Sequence, residues 1–135
     1  MRLEKDINHK MIIFDLDGVL INSKENMRLS WNQVMLKHGI KHDFKEYFKY
    51  VGLPFFKILK KLKIKNNLEI IKKTYDQNSI RFINKIKLYP YVKKTLIKLK
   101  RYNSISLVTS KDSKRTKKII NSFSLNFDFV YSATE

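Results

Sequence analysis

The apolar positions change rhythm along the chain. Met11-Ile12-Ile13-Phe14 is a short unbroken apolar run, which predicts a strand buried on both faces, the usual state of a parallel strand in an α/β sheet. Downstream the spacing becomes three and four. Met27, Trp31, Val34 and Met35 predict a helix opened by Ser23 as N-cap and closed by Gly39 in the left-handed C′ position. Asp43 and Glu46 have the spacing of a capping box ahead of Phe44, Tyr47, Phe48 and Val51, with Gly52 as the stop. Pro54 fits the first turn of a third helix carrying Phe55, Ile58, Leu59 and Leu62. Beyond Asn66-Asn67, the series Leu68, Ile71, Tyr75, Phe82 and Ile86 marks a longer fourth helix with a kink near Asn78-Ser79.

After Tyr89-Pro90 the pattern changes again. Val92, Leu96 and Leu99 predict an amphipathic helix, Tyr102-Asn103 a turn, and Ile105 to Val108 a second strand running into Thr109-Ser110-Lys111. Asp112 or Ser113 can cap a further helix with Ile119, Ile120 and Phe123, and Phe127 to Tyr131 reads as a third strand. Strands alternating with helices, and a wholly helical stretch after the first strand, argue for a parallel α/β core with a helical insertion.

Composition narrows the class. With 135 residues and 43% hydrophobic content the chain can bury a core, and its length suits one compact domain or a small domain carrying an insertion. There is no cysteine, which leaves out a disulfide framework, a thiolate metal site and a cysteine nucleophile. The opening segment is charged and the first apolar run is cut by Asp15 and Asp17, so neither a signal peptide nor a membrane span is expected, and a cytoplasmic location is the default. The net charge of +17 invites a nucleic-acid reading. However, Lys outnumbers Arg 24 to 5 and the lysines are spread over every predicted helix, as on a solvated face. No specific nucleic-acid partner is expected; attraction for small anionic substrates is.

The chemistry concentrates at the end of the first strand. Asp15 and Asp17 stand two apart, so in an extended segment both carboxylates face the same way, beyond the carboxyl end of a strand where open α/β sheets place their ligands. Like charges so close call for a cation or a shared proton, which allows one carboxylate to act as a nucleophile while its neighbour carries a proton. Asp and Gly are also common in plain turns. The apolar strand immediately upstream favours the functional reading. His38 and His42 are separated by Gly39 and read as a helix end rather than a shared metal site.

The run Phe14-Asp15-Leu16-Asp17-Gly18-Val19-Leu20-Ile21-Asn22-Ser23 resembles the first motif of haloacid dehalogenase-like (HAD) phosphatases, near the phosphoglycolate phosphatase and β-phosphoglucomutase branch. Val51-Gly52-Leu53-Pro54, Leu88-Tyr89-Pro90-Tyr91-Val92 and Ser106-Leu107-Val108-Thr109-Ser110-Lys111 extend the resemblance over about residues 11 to 131, with Tyr91 where relatives often have Gly. It implies a Rossmann-like parallel sheet core formed by residues 1–22 and 89–135, incomplete at three strands, with residues 23–88 as a helical cap. It implies a magnesium-dependent phosphatase acting on a small phosphorylated metabolite, in which Asp15 is the nucleophile and Asp17 the general acid and base. Asp15 and Asp17 would hold Mg²⁺, while Gly18, Thr109 and Ser110 would bind the phosphoryl oxygens. Lys111 is left between anion attraction and solvation.

Relatives complete such a site with a Lys after the third strand and acidic residues after the fourth. Neither is present, so a C-terminally truncated piece is expected, with the first strand at a sheet edge and weak activity as it stands. A sugar phosphomutase of the same family and a catalytically inactive basic binding protein are the alternatives.

Overall fold

The computed structural model describes residues 10–133; Met1 to His9, and Thr134 with Glu135, lie outside the described residues. In chain order the elements are β1 (Met11–Phe14), β2 (Ile21–Asn22), α1 (Lys24–His38), α2 (Phe44–Phe48), α3 (Phe55–Lys61) and α4 (Leu68–Arg81). A 3₁₀ turn (Ile83–Lys85) leads to β3 (Lys87–Leu88), α5 (Val92–Lys100), β4 (Ser104–Asp112), α6 (Ser113–Ser122) and β5 (Phe129–Ala133). The fold is α/β: β1, β4 and β5 form a parallel three-stranded sheet in the order β1-β4-β5. Strands β2 and β3, which periodicity does not reveal, pair antiparallel through Ile21 with Leu88 and Asn22 with Lys87.

Two apolar clusters divide the chain. Helices α5 and α6 both feed the sheet-side cluster, where Leu96 and Ile119 pack with Ile105 and Leu107 and with the half-buried Ile12 and Phe14. The expectation that β1 is buried on both faces is therefore corrected. Because side chains alternate along a strand, Met11 and Ile13 point to the opposite face, which neither helix covers, and they are 58% and 61% exposed. Among the described residues β1 pairs only with β4, so it stands at the sheet edge.

Helices α1 to α4 enclose the second cluster around Trp31, Tyr47, Leu59, Ile71 and Tyr75. Trp31 stacks on Tyr47 with ring centroids 4.4 Å apart, and its indole N–H donates to the His42 carbonyl at 2.9 Å, so a large apolar surface is buried with its one polar atom satisfied. Helix α1 ends at Gly39, whose φ of 63° is the left-handed conformation that glycine adopts without a Cβ penalty. The capping box of α2 is present in both directions, Asp43 accepting from the Glu46 N–H and Glu46 from the Asp43 N–H.

Three boundaries differ from the periodicity. Helix α2 stops at Phe48, with Lys49 as its C-cap, short of Gly52. Pro54 is the N-cap of α3 rather than part of its first turn. Helix α4 ends at Arg81 instead of running through Ile86, because Ile83 and Ile86 belong to the sheet-side cluster while Ile71 and Tyr75 belong to the other. The chain must leave the helix to change cores. Helix α4 runs unbroken through Asn78-Ser79, where the sequence predicts a kink.

Ser79 is instead a cross-link. The fully buried Asn26 of α1 donates to the Ser79 carbonyl at 2.8 Å, and the Ser79 hydroxyl donates to the Asn26 side-chain oxygen at 3.1 Å. Removing the amide with Asn26→Ala leaves the Ser79 hydroxyl without that acceptor, which costs about 2 kcal/mol for a buried polar group. Urea denaturation checks this; a variant as stable as the parent would show that the pair contributes nothing.

Candidate active site

The site is built on the turn that follows β1. Leu16, fully buried, anchors the turn from below, and its carbonyl accepts from the N–H groups of Leu20 and Ile21 at 3.0 and 3.2 Å. The chain reverses at Gly18, where φ is 77°. The turn leaves Asp15 exposed and Asp17 half-buried, both lining one cavity of about 180 Å³. Asp15 accepts from the Leu16 N–H at 2.7 Å, which fixes one carboxylate oxygen against the backbone.

Asp17 is held from two sides. One oxygen accepts a short hydrogen bond from the Ser23 hydroxyl, and the other lies 3.3 Å from the Lys111 ammonium. Ser23 is thus the N-cap of α1 by position, yet its hydroxyl makes no cap hydrogen bond. Lys111 comes from β4, which runs to Asp112 and is longer than the apolar run Ile105 to Val108 suggests. Along that strand Thr109 and Lys111 are buried and Val108 and Ser110 exposed, the period of two that turns the lysine inward. Burial pushes the Lys111 ammonium below its ordinary pKa, against the opposing pull of Asp17.

The other predicted phosphate contacts separate. Ser110 lines the cavity with Asp15 and Asp17. The Thr109 hydroxyl is turned back to accept the Lys111 N–H at 3.2 Å. Gly18 lies on a neighbouring cavity of about 300 Å³, and its N–H is already committed to the Ile21 carbonyl at 2.9 Å. That N–H is therefore not free to cradle an oxyanion, and what Gly18 contributes is the sharp turn. The two histidines take separate partners, His38 the Thr74 hydroxyl and His42 the Glu46 carboxylate.

Arg115, which nothing in the periodicity singles out, closes the floor of the cavity. Its guanidinium bonds the Asp112 carboxylate and reaches across to α4, 3.4 Å from Asp76 and over the Tyr75 ring. The rest of the lining is apolar and aromatic, with Met27, Tyr47, Leu53, Phe55, Ile58 and Tyr75. Burial pushes the Tyr47 phenol well up and that of Tyr75 up to about 12, so both are neutral hydroxyls at any physiological pH.

No group of three His, Cys, Asp or Glu side chains that could hold a metal ion occurs among the described residues. Two carboxylates at a phosphate-sized cavity nevertheless fit Mg²⁺ by donor type, since that ion is held through one or two carboxylates, with water and substrate phosphate filling the rest. Among the described residues no helix is long and apolar enough to cross a membrane.

Parallel strands with a ligand site beyond their carboxyl ends define an open α/β protein. The chain belongs to the haloacid dehalogenase-like hydrolase family, whose model matches residues 12–135. It is 28% identical over 129 residues to the phosphoglycolate phosphatase of Aquifex aeolicus, covering 90% of this chain and 59% of that protein. A shorter match, 37% identical over 46 residues, joins it to the validoxylamine A 7'-phosphate phosphatase of Streptomyces hygroscopicus, covering 34% of this chain and 22% of that one. Among solved structures, a predicted phosphatase from Clostridium acetobutylicum superposes with a TM-score of 0.81 at 23% identity, covering 93% of this chain and 62% of that chain. A hydrolase from Pseudomonas syringae gives 0.82 at 20% identity, covering 92% and 60%. These two show a shared fold, and the chain spans less than two thirds of each of these relatives.

Proposed function

We propose that this chain carries the nucleophile-bearing part of a phosphatase that acts on a small phosphorylated metabolite in the cytoplasm. The observation that carries the reading is one cavity in which Asp15, Asp17, Ser110 and Lys111 meet, on a turn just past the end of a parallel strand. Both curated relatives are named as phosphatases, which agrees with it.

In this reading an Asp15 oxygen attacks phosphorus and the ester P–O bond breaks. The departing oxygen takes a proton from Asp17, which supplies general acid catalysis. Water then attacks the phosphorus of the aspartyl-phosphate, loses a proton to Asp17 and releases inorganic phosphate and the Asp15 carboxylate. Lys111 sets a positive charge beside Asp17 and the phosphoryl oxygens, and Ser110 lies where a phosphoryl oxygen can be met at the strand end. Thr109 acts from behind, holding the Lys111 N–H. Mg²⁺ would be held by the Asp15 carboxylate and the Asp17 backbone carbonyl and would neutralise phosphoryl charge. Residues 23–88 act as a cap over a core made of the described parts of residues 1–22 and 89–135, keeping water from the site during transfer.

Phosphate release from an aryl phosphate, measured with Mg²⁺ and again with excess chelator, tests this reading. Turnover that needs Mg²⁺ is expected. Steeply salt-dependent DNA binding with no turnover would favour the basic binding protein instead.

A further inference from the structure

Every residue that the helical segment 23–88 contributes to the cavity is uncharged. The two cations of the lining are already matched. Lys111 faces Asp17 at 3.3 Å, and Arg115 is bonded to Asp112 and lies 3.4 Å from Asp76. A second anionic group entering with the phosphate would meet Tyr47, Leu53, Phe55 and Tyr75, or would have to displace a carboxylate from its own cation. Burying a charge against such a wall without a partner is strongly unfavourable.

We propose, resting on the reading of Asp15 as phosphoryl acceptor, that the group released from phosphate here is small, uncharged and largely apolar: a short alkyl or aryl alcohol. The roughly 180 Å³ of space limits the size of that group. The same wall disfavours a phosphomutase, which must hold a second phosphate while the first is transferred.

The test compares phenyl phosphate, 2-phosphoglycolate and fructose 1,6-bisphosphate at equal Mg²⁺, with the full chain, reading kcat/KM and the amount of phosphorylated Asp15. Phenyl phosphate should lead by about tenfold or more, the scale on which an unpaired buried charge discriminates between substrates. Leu53→Arg places a cation on the wall at a position that is 38% exposed, so the fold tolerates it. It should narrow the gap by about tenfold, through charge-assisted contact with the second anion. Equal or better use by the parent chain of either ester that carries a second anionic group, or no change in the ratio with Leu53→Arg, overturns the inference while leaving the nucleophile assignment intact. Absence of phosphorylated Asp15 with all three esters overturns the assignment of Asp15 and this inference with it.

Discussion

Replacing Asp15 with Asn is expected to reduce phosphate release by on the order of 10³-fold or more, the scale of removing a covalent nucleophile. The substitution is nearly isosteric and keeps the side-chain oxygen that accepts the Leu16 N–H. Asp15 is also exposed, so stability should stay within about 0.5 kcal/mol of the parent. Loss of chemistry with retained fold is the signature to look for, read by phosphate release beside urea denaturation. Asp17→Asn differs in kind. With a good leaving group such as a nitrophenolate, Asp15 can still be phosphorylated, but the water that must follow has lost its base, and phosphoenzyme should accumulate. Substantial residual turnover by Asp15→Asn would remove the aspartyl-phosphate mechanism altogether.

The largest effect on stability is expected at Arg115. It is buried, it bonds Asp112 at the N-cap of its own helix, and it joins α6 to α4 through Asp76. Arg115→Met keeps the aliphatic stem and removes the guanidinium, leaving the buried Asp112 with the backbone N–H of residue 115 and the charge of Lys72. Breaking one side of a buried pair costs about 3–5 kcal/mol. The lower end applies here, because Asp76 is partly exposed and also takes Lys72 at 2.6 Å. Against a typical total of about 5–15 kcal/mol, that is a large share.

The same residue predicts a pH dependence. Burial by itself would raise the Asp112 carboxyl, but the Arg115 guanidinium and N–H outweigh it and hold the group below its ordinary value. A carboxyl depressed in the folded state adds stability that is complete above its unfolded pKa and is lost as pH falls through the folded one. The parent should therefore weaken on acidification below the ordinary carboxylate range. In Arg115→Met, burial acts on Asp112 against the backbone N–H and the charge of Lys72 alone, and acid unfolding should begin at higher pH. Identical acid-unfolding curves for the two proteins would show that the pair is not coupled to folding.

What could be read from the sequence follows the range over which each feature is determined. The capping box of Asp43 and Glu46, the left-handed Gly39 and the apolar run of β1 are set by neighbours a few positions away, and all three are found. Strands β2 and β3 were not legible. Each is two residues long and exists because Ile21 meets Leu88, far along the chain. The exposure of Met11 and Ile13 depends on which face α5 and α6 choose, and a continuously apolar run looks the same in either case. At the site, Asp15 and Asp17 announce themselves by spacing. The sequence alone leaves Lys111 between two roles, although its two-residue offset from Thr109 on a strand is the signal that turns it inward. Ser23 looks like a helix cap until Asp17 is brought to it. Arg115 lies in the polar run Ser113-Lys114-Arg115-Thr116-Lys117-Lys118, where nothing separates the buried cation from its exposed neighbours; only its contact with Asp112 and Asp76 does.

The central claim is that Asp15 accepts the phosphoryl group, and locating that group tests it most directly. The full chain would be incubated with an aryl phosphate and Mg²⁺, quenched in acid, reduced with borohydride and mapped by peptide mass spectrometry. Phosphorylated Asp15 is reduced by this treatment to homoserine, so homoserine at position 15, absent from Asp15→Asn and from samples without the ester, is the predicted result. An unmodified Asp15 alongside measurable phosphate release, or a phosphoryl group on any other residue, would contradict the account.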